Sequence, residues 1–131
     1  MYSLAVRHHF MIAHSFAGEV FGPAQRLHGA TYAVELEIRA VALDRHGLVA
    51  DIGRLSAMLR SVLEGLDYRN LDDDTEFKGV NTTTEFLAGE IWRRARVAIG
   101  AGALGDAPAP AAMRVRLDES PVAWAAYDAE L

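Results

Sequence analysis

The sequence predicts an α+β domain, a four-stranded antiparallel sheet with two helices on one face in the order ββααββ. Three observations predict it. Two N-terminal stretches alternate apolar and polar residues, two central stretches carry apolar stripes of helical period, and the C-terminal segment returns to alternation around a turn. No internal repeat breaks this order, and residues 1–131 make a single domain long enough for a real core.

The first strand covers residues 4–14. Leu4, Val6, Phe10 and Ile12 share one parity, with Arg7 and His9 on the other. The second covers residues 31–41, where Val34, Leu36 and Ile38 face one way and Glu35, Glu37 and Arg39 the other. The connection between them, Ser15 to Leu27, carries Gly18, Gly22 and Pro23; it is too long for a tight hairpin and has room to fold over a pocket.

Asp44-Arg45-His46-Gly47 reads as a turn, and Asp51 as the N-cap of the first helix. Ile52, Leu55, Leu59, Val62 and Leu66 recur at helical spacing, with Met58 and Leu63 widening the stripe. An Asp-rich loop without periodicity runs from Asp67 to Asn81, and a chain of this length inside a compact domain is more often functional than accidental. The second helix is expected to start at Thr82, with Glu85 at capping-box spacing. Phe86, Leu87, Ala88, Ile91, Trp92 and Ala95 form its buried side. Residues 100–112 are mostly Gly, Ala and Pro and read as a flexible surface linker. Met113, Val115 and Leu117 then alternate with Arg114, Arg116 and Asp118, and after a turn at Ser120-Pro121 a last strand runs from Val122 to Tyr127.

Composition excludes several function classes. Thirteen Lys and Arg against 18 Asp and Glu give a net charge of −5, which argues against nucleic-acid binding, because phosphate contacts need clustered cations. Arg93, Arg94 and Arg96 are read as a solvated helix face. With no cysteine, disulfides, thiolate ligands and cysteine nucleophiles are excluded. No apolar run approaches the roughly 20 residues of a membrane span, and the first ten residues have no signal-peptide pattern, so the expectation is a cytoplasmic protein. The run Asp72-Asp73-Asp74 reads as a solvated loop rather than a cation site.

His14 ends one strand and His28 stands just before the next. Such a pair either converges on a metal or consists of two separately hydrogen-bonded histidines, and spacing alone leaves both open.

Six short motifs, in order along nearly the whole chain, resemble those of the 6-pyruvoyl-tetrahydropterin synthase family. Phe10-Met11-Ile12-Ala13-His14 is similar to Phe-x-x-Ala-His, and Leu27-His28-Gly29 to Leu-His-Gly-His. Gly47 through Ile52 resembles Gly-Met-Val-x-Asp-Phe, and Leu66 through Leu71 resembles Leu-Asp-His-x-x-Leu. Thr83-Thr84-Glu85 matches Thr-x-Glu-Asn, and Asp118-Glu119-Ser120 the Glu-Thr after the third strand. The resemblance implies a T-fold (tunnelling fold), whose subunits join sheets into a barrel. It also implies a homohexamer of two stacked trimers, with pterin sites at subunit interfaces. Family members include the pyruvoyl synthase and the carboxy-tetrahydropterin synthase of the queuosine pathway. Both use zinc held by three histidines, with a cysteine and an Asp-His pair moving protons.

The chain departs from that pattern where the chemistry lies. His14 and His28 match two zinc ligands, but Ala30 stands at the third, on the same strand face as His28. Ala24 stands at the cysteine and Tyr68 at the histidine of the Asp-His pair, beside a surviving Asp67. A phenol, titrating near about 10, is a poor proton shuttle at neutral pH. The expectation is a protein without zinc or other cofactor and without synthase activity, no catalytic residue being assigned. By resemblance Glu119 would take the donor edge of a pterin-like ligand, with Thr83 and Thr84 offering hydroxyls and backbone N–H groups. Phe10, Phe16 and Phe86 are candidate apolar walls, Phe86 replacing the family's Asn. A remodelled enzyme acting on a pterin or deazapurine precursor through Asp67 and Tyr68 is the alternative.

Overall fold

The computed structural model describes residues 1–131. Strands β1 (Tyr2–His14) and β2 (His28–Ala40) pair antiparallel along their whole length, from Tyr2 opposite Ala40 to His14 opposite His28. Helix α1 (Ile52–Glu64) follows, then strand β3 (Arg69–Asn70), helix α2 (Thr84–Gly100), and strands β4 (Ala112–Ser120) and β5 (Ala123–Glu130). The sheet order is β3-β1-β2-β4-β5. Four strands are thus those the alternation predicts. The fifth, β3, has two residues and runs parallel to β1 at Ile12 and Ala13, so the sheet is five-stranded and mixed rather than four-stranded and antiparallel. Two residues are too few to show a period, which is why β3 lies hidden in the predicted loop.

The two helices cover one face. Even-numbered residues of β1 and β2 (Val6, Phe10, Ile12, Tyr32, Val34, Leu36, Ile38) and odd-numbered residues of β4 (Met113, Val115, Leu117) point into the core, against Leu55, Met58, Leu59, Leu63, Leu87, Ile91 and Ala95. The Asp51 carboxylate accepts from the Arg54 N–H at 2.8 Å and caps α1 as expected. Ile52, assigned to the buried stripe, is exposed; it occupies the first turn, which runs past the edge of the core.

Helix α2 corrects the sequence reading. Its cap is Thr83, whose Oγ1 accepts from the Phe86 N–H at 3.2 Å. Thr82 stays outside the helix, buried against His14, so Thr82 and Glu85 do not form a capping box. Residues 100–112, expected to be a flexible linker, turn tightly and bury Leu104 in the core; Gly105 is needed at φ +71°, with the Arg54 guanidinium about 3.0 Å from where a Cβ would stand.

The opposite, helix-free face carries an ion-paired lattice. Arg7 meets Glu35 at 2.7 Å, Arg114 lies within 3.8 Å of Glu35 and Glu37, Arg39 pairs with Asp128, and Arg116 with Asp118 at 2.7 Å. On α2, Arg93 and Arg94 pair with Glu90 and Glu76; Arg93 and Glu76 are exposed, whereas Arg94 and Glu90 are largely buried, so this is only in part the solvated face expected.

One buried polar contact ties α2 to the sheet. Trp92 Nε1–H donates to the Met113 carbonyl at 2.8 Å, and its ring packs edge-on against Tyr127. Trp92→Phe removes that hydrogen bond and part of the packing, and should destabilise the fold by about 1–3 kcal/mol. Urea unfolding with an unchanged m-value measures it; a loss under about 0.5 kcal/mol would show that this contact does not anchor the helix.

Candidate functional site

The end of the sheet that holds His14 and His28 also holds the start of α2 and the β4–β5 turn. His14 is buried, and its Nδ1 lies 3.0 Å from Thr82 Oγ1. Across the strand pair the two imidazole centroids are 4.6 Å apart. His28 Nδ1–H donates to the Arg26 carbonyl at 2.8 Å, leaving Nε2 without a proton in the neutral ring. Burial first, then the neighbouring His28, lowers the His14 pKa from 6.5, while Thr82 and Asp72 act in the opposite direction.

These two histidines do converge, but they do not make a three-ligand zinc site. Ala30 supplies a methyl on the face where a third donor would stand, and no three His, Asp or Glu side chains are placed to hold a metal ion together. Asp72, whose charge reaches His14, is committed to the Ser15 N–H at 3.1 Å and the Ser15 hydroxyl. Phe16 lies over both imidazoles instead, at 4.6 Å from His14 and 5.7 Å from His28, with Phe21 behind it at 4.8 Å. The donors present do not fit the metal.

Asp67 and Tyr68 sit one strand away. The Asp67 carboxylate accepts from the Met11 N–H at 2.9 Å, and the Tyr68 N–H donates to the Met11 carbonyl at 2.7 Å. Asp67 therefore serves as a backbone clamp on β1. Tyr68 adopts φ +58°, uncommon outside glycine and Asn, and its side chain is 81% exposed. Ala24 contributes its carbonyl, which accepts from the Phe16 N–H.

Glu119, Thr83 and Thr84 come together. A β-bulge between Asp118 and Ser120 leaves Glu119 without a cross-strand partner and re-aims its side chain. All three line one cavity of about 260 Å³, with Phe16, Phe21, Glu85 and Trp124. Tyr32 lies buried beside it. Desolvation raises its phenol pKa and Thr84 opposes the rise, while the Glu119 and Glu85 carboxylates reinforce it, so the Tyr32 hydroxyl senses the acidic side of the cavity. Of the predicted walls only Phe16 takes part. Phe10 is in the core, stacked on Tyr32 at 5.3 Å, and Phe86 packs on Phe77. Phe21, Tyr32, Glu85 as a lining residue and Trp124 were not foreseen. A larger cleft of about 700 Å³ lies at the other end of the sheet, lined by Asp44, Arg45, Asp51 and Arg54. There Asp44 closes the Asp44–Gly47 turn and Asp51 caps α1, so both carboxylates have structural duties.

Residues 3–130 match the family model for 6-pyruvoyl tetrahydropterin synthase. The chain belongs to that family. It is 34% identical over 76 residues to the 6-pyruvoyl tetrahydrobiopterin synthase of Dictyostelium discoideum, a stretch covering 56% of each chain. With the Drosophila melanogaster enzyme it shares 39% over 83 residues, 60% of this chain and 49% of that one. The matched region thus spans about half the length of these curated relatives. Among solved structures, the Caenorhabditis elegans synthase superposes with a TM-score of 0.80 at 22% identity, covering 98% of this chain and 95% of that one. The Plasmodium vivax synthase gives 0.80 at 21%, covering 99% and 98%. The α+β arrangement described above is that T-fold. No helix is long and apolar enough to cross a membrane.

The depressed His14 pKa gives a test of this end of the sheet. Between pH 6.5 and the lower folded value the unfolded chain binds a proton that the folded chain does not, so stability falls as pH drops through that window. Chemical denaturation between about pH 7.5 and 5.5, above the carboxylate range, should show this decline. His14→Gln should make the decline shallower; an unchanged slope would assign it to the other histidines.

Proposed function

We propose that this chain is a pterin-binding member of its family that lacks zinc and the synthase reaction. The observation that carries the reading is the cavity. It unites Glu119 from the β4 bulge with Thr83 and Thr84 from the start of α2, whereas the neighbouring histidine pair has no third ligand. Relatives matched above are named for a pterin product, and the lining suits such a molecule: a carboxylate fork for a flat donor edge, hydroxyls, and aromatic walls. The ligand is bound, carried or sensed rather than converted. The resemblance further implies a homohexamer of two stacked trimers, and the open edge of β5 and the stretch of β1 that the two-residue β3 leaves uncovered are consistent with sheet-to-sheet joining.

The alternative, a remodelled enzyme on a pterin or deazapurine precursor, draws on Tyr68. An exposed phenol held in a left-handed conformation, at the position matching a catalytic histidine, is a form of local strain found at functional sites. Asp67, engaged with the Met11 amide, weighs against it as a proton-shuttling partner.

The leading reading fixes four expected outcomes. As purified, the protein should retain no stoichiometric zinc after mild chelation and should not turn over dihydroneopterin triphosphate; one tightly held zinc per chain, or turnover in a direct assay, refutes it. Glu119→Ala should weaken pterin binding at least about tenfold, since a hydrogen bond to a charged group contributes roughly 1.5–3 kcal/mol and ~1.4 kcal/mol is one decade. Calorimetry on both proteins checks this, and sedimentation of the same samples should show a hexamer. Unchanged affinity in the variant removes Glu119 from the site, and a stable monomer removes the interface.

A further inference from the structure

We infer that Tyr32 is a positioning residue of the Glu119 cavity: its buried hydroxyl holds the Thr84 hydroxyl as a donor, so the cavity selects rings that carry a carbonyl beside their N–H edge. This rests on the pterin-binding reading and adds what that reading leaves open, how a 2-amino-4-oxo ring is told from one with amines at both positions.

Tyr32 is 1% exposed, on the helix side of β2, with its ring stacked on Phe10 at 5.3 Å. The ring is part of an apolar core, and packing alone needs no hydroxyl there. That hydroxyl nevertheless has a partner, the side chain of Thr84 in the first turn of α2. Ala33 opposite Asp118 is the last regular pair between β2 and β4, so Tyr32 and Glu119 are the next residues of neighbouring strands. Thr84 and Glu119 line the same cavity, and the charges of Glu119 and Glu85 both reach the Tyr32 phenol. Strand register and the start of α2 thus bring a phenol, an aliphatic hydroxyl and a carboxylate to one wall.

The order of protons along this wall follows from its members. Burial first, then the two carboxylates, keeps the phenol neutral although Thr84 pulls the other way, so Tyr32 has a proton to give. A phenolic O–H is a better donor than an aliphatic one. Thr84 Oγ1 therefore accepts from Tyr32, and its own proton is left to donate. The Glu119 carboxylate only accepts. A 2-amino-4-oxo pyrimidine edge matches this pair, with its amine and ring N–H on the carboxylate and its carbonyl on Thr84. An amine in place of the carbonyl sets donor against donor and leaves the Thr84 proton unpaired, which is how a polar site rejects an analogue. Without the Tyr32 hydroxyl, Thr84 turns and accepts from that amine.

Calorimetry with pterin and with 2,4-diaminopteridine, at a pH where both rings are neutral, tests this on wild type, Tyr32→Phe and Thr84→Val. Circular dichroism confirms the fold of each. Phe keeps the ring on Phe10 and Val keeps the shape of Thr84, so only hydroxyls are lost. Wild type should prefer pterin, and each variant should lose about three- to tenfold of that preference, the worth of one neutral hydrogen bond. The double variant should lose no more than either single one, because both break the same relay. If Tyr32→Phe keeps the wild-type preference, or weakens both ligands equally, while Glu119→Ala is impaired, the relay falls and the pterin site stands. If Tyr32→Phe does not fold, Thr84→Val decides, and an unchanged preference there overturns the relay. If wild type binds neither ring, both fall.

Discussion

The structure depends on one thirteen-residue pairing, β1 against β2. Its register, with Tyr2 opposite Ala40 and His14 opposite His28, sets the parity of both strands. A slip of one residue would turn Val34, Leu36 and Ile38 out to the charged face and bring Glu35 and Glu37 inward. The same register decides the far end of the sheet. It puts the two imidazoles in contact, and it places Ala30, with only a methyl to offer, opposite Ile12. Core and site are two readings of a single alignment.

The segment between the helices is held against this pair of strands by side chains. Asp67 holds the Met11 amide, Asp72 holds Ser15, and Asn81 exchanges two hydrogen bonds with the backbone of Ala17, at 2.9 and 3.0 Å. These contacts fix the stretch that carries Phe16, which roofs the histidine pair and forms a wall of the adjoining cavity. An acidic run that reads as solvated in the sequence is in part a clamp: Asp72 binds Ser15, and Asp74 caps a 3₁₀ turn through the Glu76 N–H.

Much of the fold was legible because its signals are periodic. The four long strands and both helices follow from alternation and from stripes such as Leu55, Leu59 and Leu63. What escaped lacks a period: the two residues of β3, the tight turns that bury Leu104, and the one-residue difference between Thr82 and Thr83 as cap. Thr82 has every local property of a cap, but a buried imidazole is a stronger claimant on its hydroxyl. In the candidate site, Glu119, Thr83 and Thr84 were found through motif order, which carries no coordinates. Phe21 was missed because nothing in linear sequence says which side chains border a hole.

The lattice on the open face of the sheet has a consequence for how charge is spread over the molecule. Arg7, Arg39, Arg114 and Arg116 are matched there by Glu35, Glu37, Asp118 and Asp128, so the lattice is neutral within itself. The surplus of −5 therefore resides on the helices, the loops and the rim. Like-charged molecules repel through those surfaces, while the open sheet face, with its charges matched in pairs, adds little to that repulsion. Added salt would soften that repulsion and leave the sheet face almost indifferent.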